Sequence, residues 1–210
     1  MKHWVLGVTL AGLSATALAD KPDYLQDSRL AAVSLMQALS GELKRELEAG
    51  GPESAVGVCK TMAPQVAAEQ SRKTGMKISR VSLKPRNPLL GSADAWEQQA
   101  LQTLEARAAK GEKPETLEIG EIVKEPAGSY YRYAKAIPVQ AFCLSCHGGP
   151  NDIGAGIKAR LASDYPHDKA TGYTLGFTLS CIVTPWLVRR VGHVRVFGAL
   201  ITLLTVGILL

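Results

Sequence analysis

The densest chemistry in the sequence lies between Phe142 and Pro150, in the stretch FCLSCHGGP. Two thiols, Cys143 and Cys146, stand three positions apart, and the imidazole of His147 follows at once. This C-x-x-C-H spacing is the attachment signature of c-type haem. On one helical turn positions i, i+3 and i+4 share a face. Two thiols so placed reach the two vinyl groups of one porphyrin, and the adjacent imidazole reaches the iron as proximal ligand. Gly148 and Gly149 leave room beside the motif and stop the turn. Competing uses of the thiols fit less well. A redox dithiol wants a strand before it and a long helix after it, whereas Gly-Gly-Pro follows His147 directly. A zinc site needs further ligands at recognisable spacing, and no second paired cluster exists in the chain. A structural disulfide is the plainest alternative. The expectation is one covalent haem c.

A six-coordinate haem needs a second axial donor. The residues alone offer Cys59, Met62, Met76, His3, His167 and His193. A methionine raises the potential, whereas a cysteine thiolate puts charge on the iron and lowers it. Each has a plainer use: methionine fills cores, and Cys59 is either buried or paired with Cys181. Arg80, Lys84 and Arg86 cluster in RVSLKPRNP. Their cationic heads suit the haem propionates, because guanidinium forks match carboxylates; solvated surface is the alternative. Tyr130, Tyr131 and Tyr133 pack on the porphyrin or simply fit a strand. His167 and Asp168 line the haem edge or cap a turn. No nucleophile–base pair is visible, which argues against an enzyme.

The elements that must hold these residues follow from periodicity. Leu25, Leu30, Val33, Met36, Leu39, Leu43 and Leu47 predict a helix from Asp23 to Ala49, stopped by AGGP. A second helix is predicted from Glu53 to Thr74, with Pro64 kinking or dividing it and Gly75 closing it. Met76 to Leu83 alternates as a strand, and KPRNP reads as loop. A third helix runs from Ser92 to Lys110, capped by Asp94 or Ser92. LEIGEIVKE and YYRYAKAIPV flank PAGS as a hairpin. GAGIKARLASDYP reads as a short helix and Gly172 to Val183 as a last strand. This order suits an α+β domain with an antiparallel sheet and packed helices.

The ends bound the location. Lys2 and His3, the apolar run from Trp4 and the small residues Ala17-Leu18-Ala19 read as a cleaved secretory signal over 1–19. A periplasmic domain over 20–185 is expected, about 190 residues remaining after the leader, enough for a real core. Residues 186–210 form an apolar tail, read as a membrane anchor, the start of a transmembrane helix, or an aberrant end. Its uncharged run, Val196 to Leu210, falls short of the roughly 20 residues of a normal span. The formal charge of +5 comes from the ends. Without Lys2, Arg189, Arg190 and Arg195, 20 of the 24 basic residues remain against 19 acidic ones. So balanced a body has no electrostatic footprint for nucleic acid.

Four blocks carry a resemblance: AVGVCKTMAPQVAAEQSRKTGMKISRVSLKPRNP, AWE, YYRYAKAIPVQAFCLSCHG and YPHDKATGYTLG. Together they resemble the bacterial exported single-haem c-type family with a PAS-like fold, the Tll type. The resemblance spans Ser28 to Gly176 and departs in the tail. It implies a PAS-like sheet and a cysteine on the early helix as second axial ligand, here Cys59 opposite His147. It also implies haem-based sensing of redox state or a diatomic gas, passed to an unknown partner protein. Small-protein electron transfer is the competing expectation.

Overall fold

A computed structural model describes residues 23–175 and the backbone of 178–187. The expected leader and the apolar run from Val196 lie outside the described residues. Among the described residues no helix is long and apolar enough to cross a membrane.

Helix α1 (Tyr24–Gly57) starts where the Asp23 carboxylate accepts from the Gln26 amide at 3.0 Å. AGGP interrupts it, and two helical stretches meet there at a kink. Gly51 alone leaves helical space, at φ 73° and ψ −173°, and Pro52 restarts the helix beyond the bend. Proline suits that position because its missing N–H is not needed in a first turn. The buried face also differs from the predicted leucine stripe. Leu30 and Val33 are 59% and 52% exposed, while Ser28, Ala31, Ala32 and Leu35 are buried. These smaller side chains keep the helical spacing, and their size lets the helix lie close to the sheet.

Pro64 neither kinks nor divides the second helix in the ordinary way. The turn before it, Val58–Met62, is a π turn, and helix α2 (Ala63–Thr74) carries Pro64 in its first turn. The Ala63 amide reaches back five residues to the Val58 carbonyl. Proline has no N–H for the Lys60 carbonyl, and the widened turn takes up the mismatch. Single π turns of this kind are frequent at functional sites, and this one carries Cys59.

After strand β1 (Ser79–Val81) the predicted loop gives way to a one-turn helix, α3 (Pro88–Gly91), capped by the Asn87 side chain. Helix α4 (Ala95–Ala109) starts at Asp94, with Glu97 returning the bond in a capping box. Strands β2 (Glu118–Glu125) and β3 (Gly128–Pro138) form the predicted hairpin. The one-turn helix α5 (Leu144–His147), helix α6 (Ala155–Asp164) and strand β4 (Thr178–Leu187) follow.

The fold is α+β. The four strands of its sheet are antiparallel in the order β1-β4-β3-β2, so the last of the described strands lies inside the sheet. Alternation along β3 sends residues to opposite faces. Ala134 and Ala136 pack with Ala100, Leu101 and Leu104 of α4 and with Val81. Tyr133 and Ile137 pack with Ala31, Ala32 and Leu35 of α1 and with Met76 and Ile78. Burying a leucine such as Leu101 or Leu104 is worth about 1.5–3 kcal/mol. Helices therefore cover both faces of the sheet, and the C-x-x-C-H segment lies beside this core, against two satellite clusters.

Candidate functional site

A 3-10 turn, Ala141–Cys143, leads into α5, so Cys143, Cys146 and His147 lie on consecutive tight turns. Cys146 packs against Val56, Ile153, Ile157, Leu161 and Tyr165. Cys143 and Leu144 pack against Val139, Ala170 and Tyr173. Burial pushes both thiols above their ordinary range. Neither forms a disulfide, and Cys59 is also a free thiol. Free thiols are what the haem reading needs of Cys143 and Cys146. Gly148 ends the turn at a point of close approach: a Cβ there would stand 2.6 Å from both the Leu144 carbonyl and the Asp152 carboxylate.

The His147 ring is held in one tautomer. Its Nδ1 lies 2.7 Å from the Ala170 carbonyl, which can only accept, so Nδ1 carries the proton and Nε2 the lone pair. Burial, and then the charge of Arg86, push its pKa down to about 3, which leaves the ring neutral at pH 7. A neutral imidazole with its far N–H fixed on a carbonyl is the form that ligates a metal.

Arg86 is the hub around it. Its Nε donates to Asp168 Oδ2 at 2.9 Å, and both side chains are about nine-tenths buried. Its Nη2 donates to the carbonyls of Cys146 at 2.5 Å and Ala170 at 3.3 Å. Its Nη1 lies 3.5 Å from His147 Nε2. Asp168 in turn accepts from the Ala170 amide at 2.7 Å. Arginine and carboxylate thus tie the RNP loop, the motif and the Ala170 segment together. Most of this fork is committed inside the protein, whereas the sequence pattern suggested a propionate partner.

The cleft beside His147 has a volume of about 330 Å³ and is lined by Cys59, Ala63 and Ala67 from the π turn and α2, with Leu39 and Ile78. Arg80, Lys84, Arg86 and Tyr165 complete the wall facing them. Two of the candidate ligands, Cys59 and His147, therefore share one cavity. Met62 lines a separate pocket with Glu46 and Arg160, and Met76 is 4% exposed in the core below α1. His167 is exposed, and His3 and His193 lie outside the described residues. Among the described residues no group of three or more His, Cys, Asp or Glu side chains is placed to hold a metal ion, which leaves the zinc reading without its ligands.

Arg80 and Lys84 are exposed where they line the cleft. Lys84 Nζ donates to the Thr171 carbonyl at 2.5 Å and stands 4.5 Å over the Tyr173 ring. Tyr131 stacks on Tyr24 with ring centroids 5.6 Å apart, and Tyr133 donates to Glu118 at 2.7 Å. Neither these two nor Tyr130 lines the cleft. The aromatic residues at the site are Tyr165 and Tyr173, in the segment after α6. Sequence reasoning passed over Tyr165; its neighbours Asp168 and Ala170 in the YPHDKATG block were the available signal.

The family described as Tll0287-like matches residues 16–183. The chain is similar to a solved crystal structure described as the cyanobacterial heme-protein Tll0287. The two are 28% identical with a TM-score of 0.58, over 81% of this chain and 98% of that one. No curated protein matches the chain.

Proposed function

The chain belongs to the Tll0287-like family, and we propose that it holds one covalent haem c in the cleft between Cys59 and His147 as an exported sensor of redox state or a diatomic gas. The observation that carries this reading is the neutral, tautomer-fixed imidazole of His147 in a cavity that Cys59 also lines. The similar protein is described as a heme-protein, which supports the cofactor.

Cys59 and His147 line the cleft and would hold the group, while Cys143 and Cys146 are not among its lining residues. Cys143 and Cys146, both free thiols, would hold the group through thioethers to its two vinyl groups. His147 offers Nε2 as proximal donor, and Cys59 offers sulfur from the π turn. Arg86 and Asp168 are positioning residues, since they fix the motif backbone and the carbonyl that orients His147. Arg80 and Lys84 stand where carboxylates would meet cationic side chains. Leu39, Ala63, Ala67 and Ile78 give the cleft an apolar wall. Bound iron supplies one-electron chemistry and affinity for diatomic ligands.

Sensing requires a two-state element. Cys59 sits on a π turn, and loss of its sulfur as a ligand would let that turn relax and alter how α1 and α2 lie. A partner protein reads that change. The leader directs the domain to the periplasm, and the tail contacts the membrane.

Reduced-minus-oxidised spectra of the exported protein and of Cys59→Ser, each with and without carbon monoxide, test this. The expected outcome is a shifted Soret band and midpoint potential in Cys59→Ser, and carbon monoxide displacing the sulfur in the unaltered protein. An unchanged spectrum and potential in Cys59→Ser removes Cys59 as ligand. An iron that refuses carbon monoxide yet exchanges electrons rapidly with a partner cytochrome makes the protein an electron carrier.

A further inference from the structure

Tyr165 is 6% exposed, and its ring packs among Val56, Ile157, Leu161 and Cys146. Its hydroxyl is buried and has no hydrogen-bond partner among the described residues. Leaving such a group unpaired costs about 1–3 kcal/mol, so a buried orphan of this kind points to a partner that arrives with something bound. The same side chain lines the cleft with Cys59 and His147.

Its neighbours narrow the acceptor. The Arg86 guanidinium, 5.9 Å from the ring, can only donate. The Asp164 carboxylate is occupied by Lys60 at 2.7 Å and Arg160 at 2.6 Å. Burial raises the Tyr165 hydroxyl to about 12, and the next contribution comes from Cys59. The hydroxyl is therefore a donor at neutral pH, and Cys59 is the strongest electrostatic neighbour it has.

We propose that in the haem-loaded protein the Tyr165 hydroxyl donates a hydrogen bond to the sulfur of Cys59 and so weakens that sulfur as an axial donor. The proposal rests on the reading of Cys59 as the second ligand. A hydrogen bond draws electron density from a thiolate. A weaker donor favours the reduced state and eases release of the sulfur. Tyr165 is thus a positioning residue that sets how readily Cys59 yields its place to an exogenous ligand.

Four haem-loaded proteins test this: unaltered, Tyr165→Phe, Cys59→Ser and the double variant. Phenylalanine keeps the ring and its packing and removes only the hydroxyl. Tyr165→Phe is expected to keep a sulfur-ligated spectrum. It is also expected to slow displacement of Cys59 by carbon monoxide about tenfold and lower the midpoint potential by about 59 mV, the one-electron equivalent of tenfold. In the Cys59→Ser background the same change is expected to do nothing. A Tyr165→Phe protein with unaltered potential and displacement, while Cys59→Ser is shifted, overturns the hydrogen bond and leaves the ligand reading standing. An equal effect in both backgrounds also overturns it, because Tyr165 then acts on the porphyrin and not on sulfur. An unshifted Cys59→Ser protein overturns the ligand reading, and the proposal with it. Resonance Raman of the unaltered protein in H₂O and D₂O gives a readout free of any variant. The iron–sulfur stretch is expected to move on deuteration, and a stationary band overturns the proposal.

Discussion

Among the described residues, two arginine side chains, Arg132 and Arg86, are about nine-tenths buried, and they sit in opposite kinds of surroundings. Arg132, 7% exposed on β3, faces three carboxylates: Asp94 at 2.6 Å, Glu97 at 3.2 Å and Glu125 at 3.3 Å. Its guanidinium lies 4.6 Å over the Trp96 ring. Asp94 and Glu97 are the capping box of α4, so this cluster fastens the start of that helix to the sheet. Arg86 has one carboxylate, Asp168. Its remaining donors go to the backbone carbonyls of Cys146 and Ala170 and toward Nε2 of His147. The first arginine is surrounded by acids at its Nη groups, its Nε left unpaired among the described residues, and serves the core. The second holds a functional segment in place, with its charge directed at the one group there that must stay neutral. Burial of a cation does not by itself identify a site; what the cation holds does.

The sharpest way to break that contrast is to remove the thiols. Cys143→Ser combined with Cys146→Ser is expected to abolish covalently attached haem completely, measured by haem staining of denatured protein. Arg132→Met is expected to keep full staining. Next comes Arg86→Met. It strands the buried Asp168 carboxylate, and breaking such a pair costs about 3–5 kcal/mol. Urea titration is expected to show that loss, and the haem spectrum is expected to shift as His147 loses its support. An unshifted spectrum with the full stability loss would reduce Arg86 to the same role as Arg132.

Arg132→Met is expected to cost about 3 kcal/mol, the lower end of that range. Of its three acids only Glu97 is deeply buried, at 9% side-chain exposure against 51% and 39% for Asp94 and Glu125. Water therefore screens much of what remains. The haem spectrum and potential are expected to stay put. A spectral change here would show that the core cluster and the cleft are coupled. The smallest effect is expected from Lys84→Ala. It removes an exposed cation–π contact on Tyr173 worth no more than about 1 kcal/mol, so the melting temperature hardly moves. If Lys84 meets a carboxylate of the bound group, haem release on partial unfolding speeds up instead.

Much of the fold was legible because its signals are local. The hairpin around PAGS, the Asp94 cap and the α4 face through Ala100, Leu101 and Leu104 each rest on contacts within a few residues. The leucine stripe of α1 misled at Leu30 and Val33, because periodicity shows where apolar residues recur and not which face the sheet selects. The π turn at Cys59 was signalled only as trouble at Pro64. Its outcome depended on which neighbouring carbonyl the chain reached.

At the site the division is the same. Cys143, Cys146 and His147 were readable as one unit because attachment chemistry acts over a single turn, and turn geometry is dictated by adjacent residues. The Arg86–Asp168 pair spans 82 positions of sequence. The orphan hydroxyl of Tyr165 exists only because α6 and the end of α1 close around it. The meeting of Cys59 with His147 in one cleft belongs to this second kind. Such contacts are made when packing overcomes the entropy of closing long loops. No residue type or spacing records which distant partner that closure brings, so the sequence by itself named the donors and the tertiary structure chose which of them face one another.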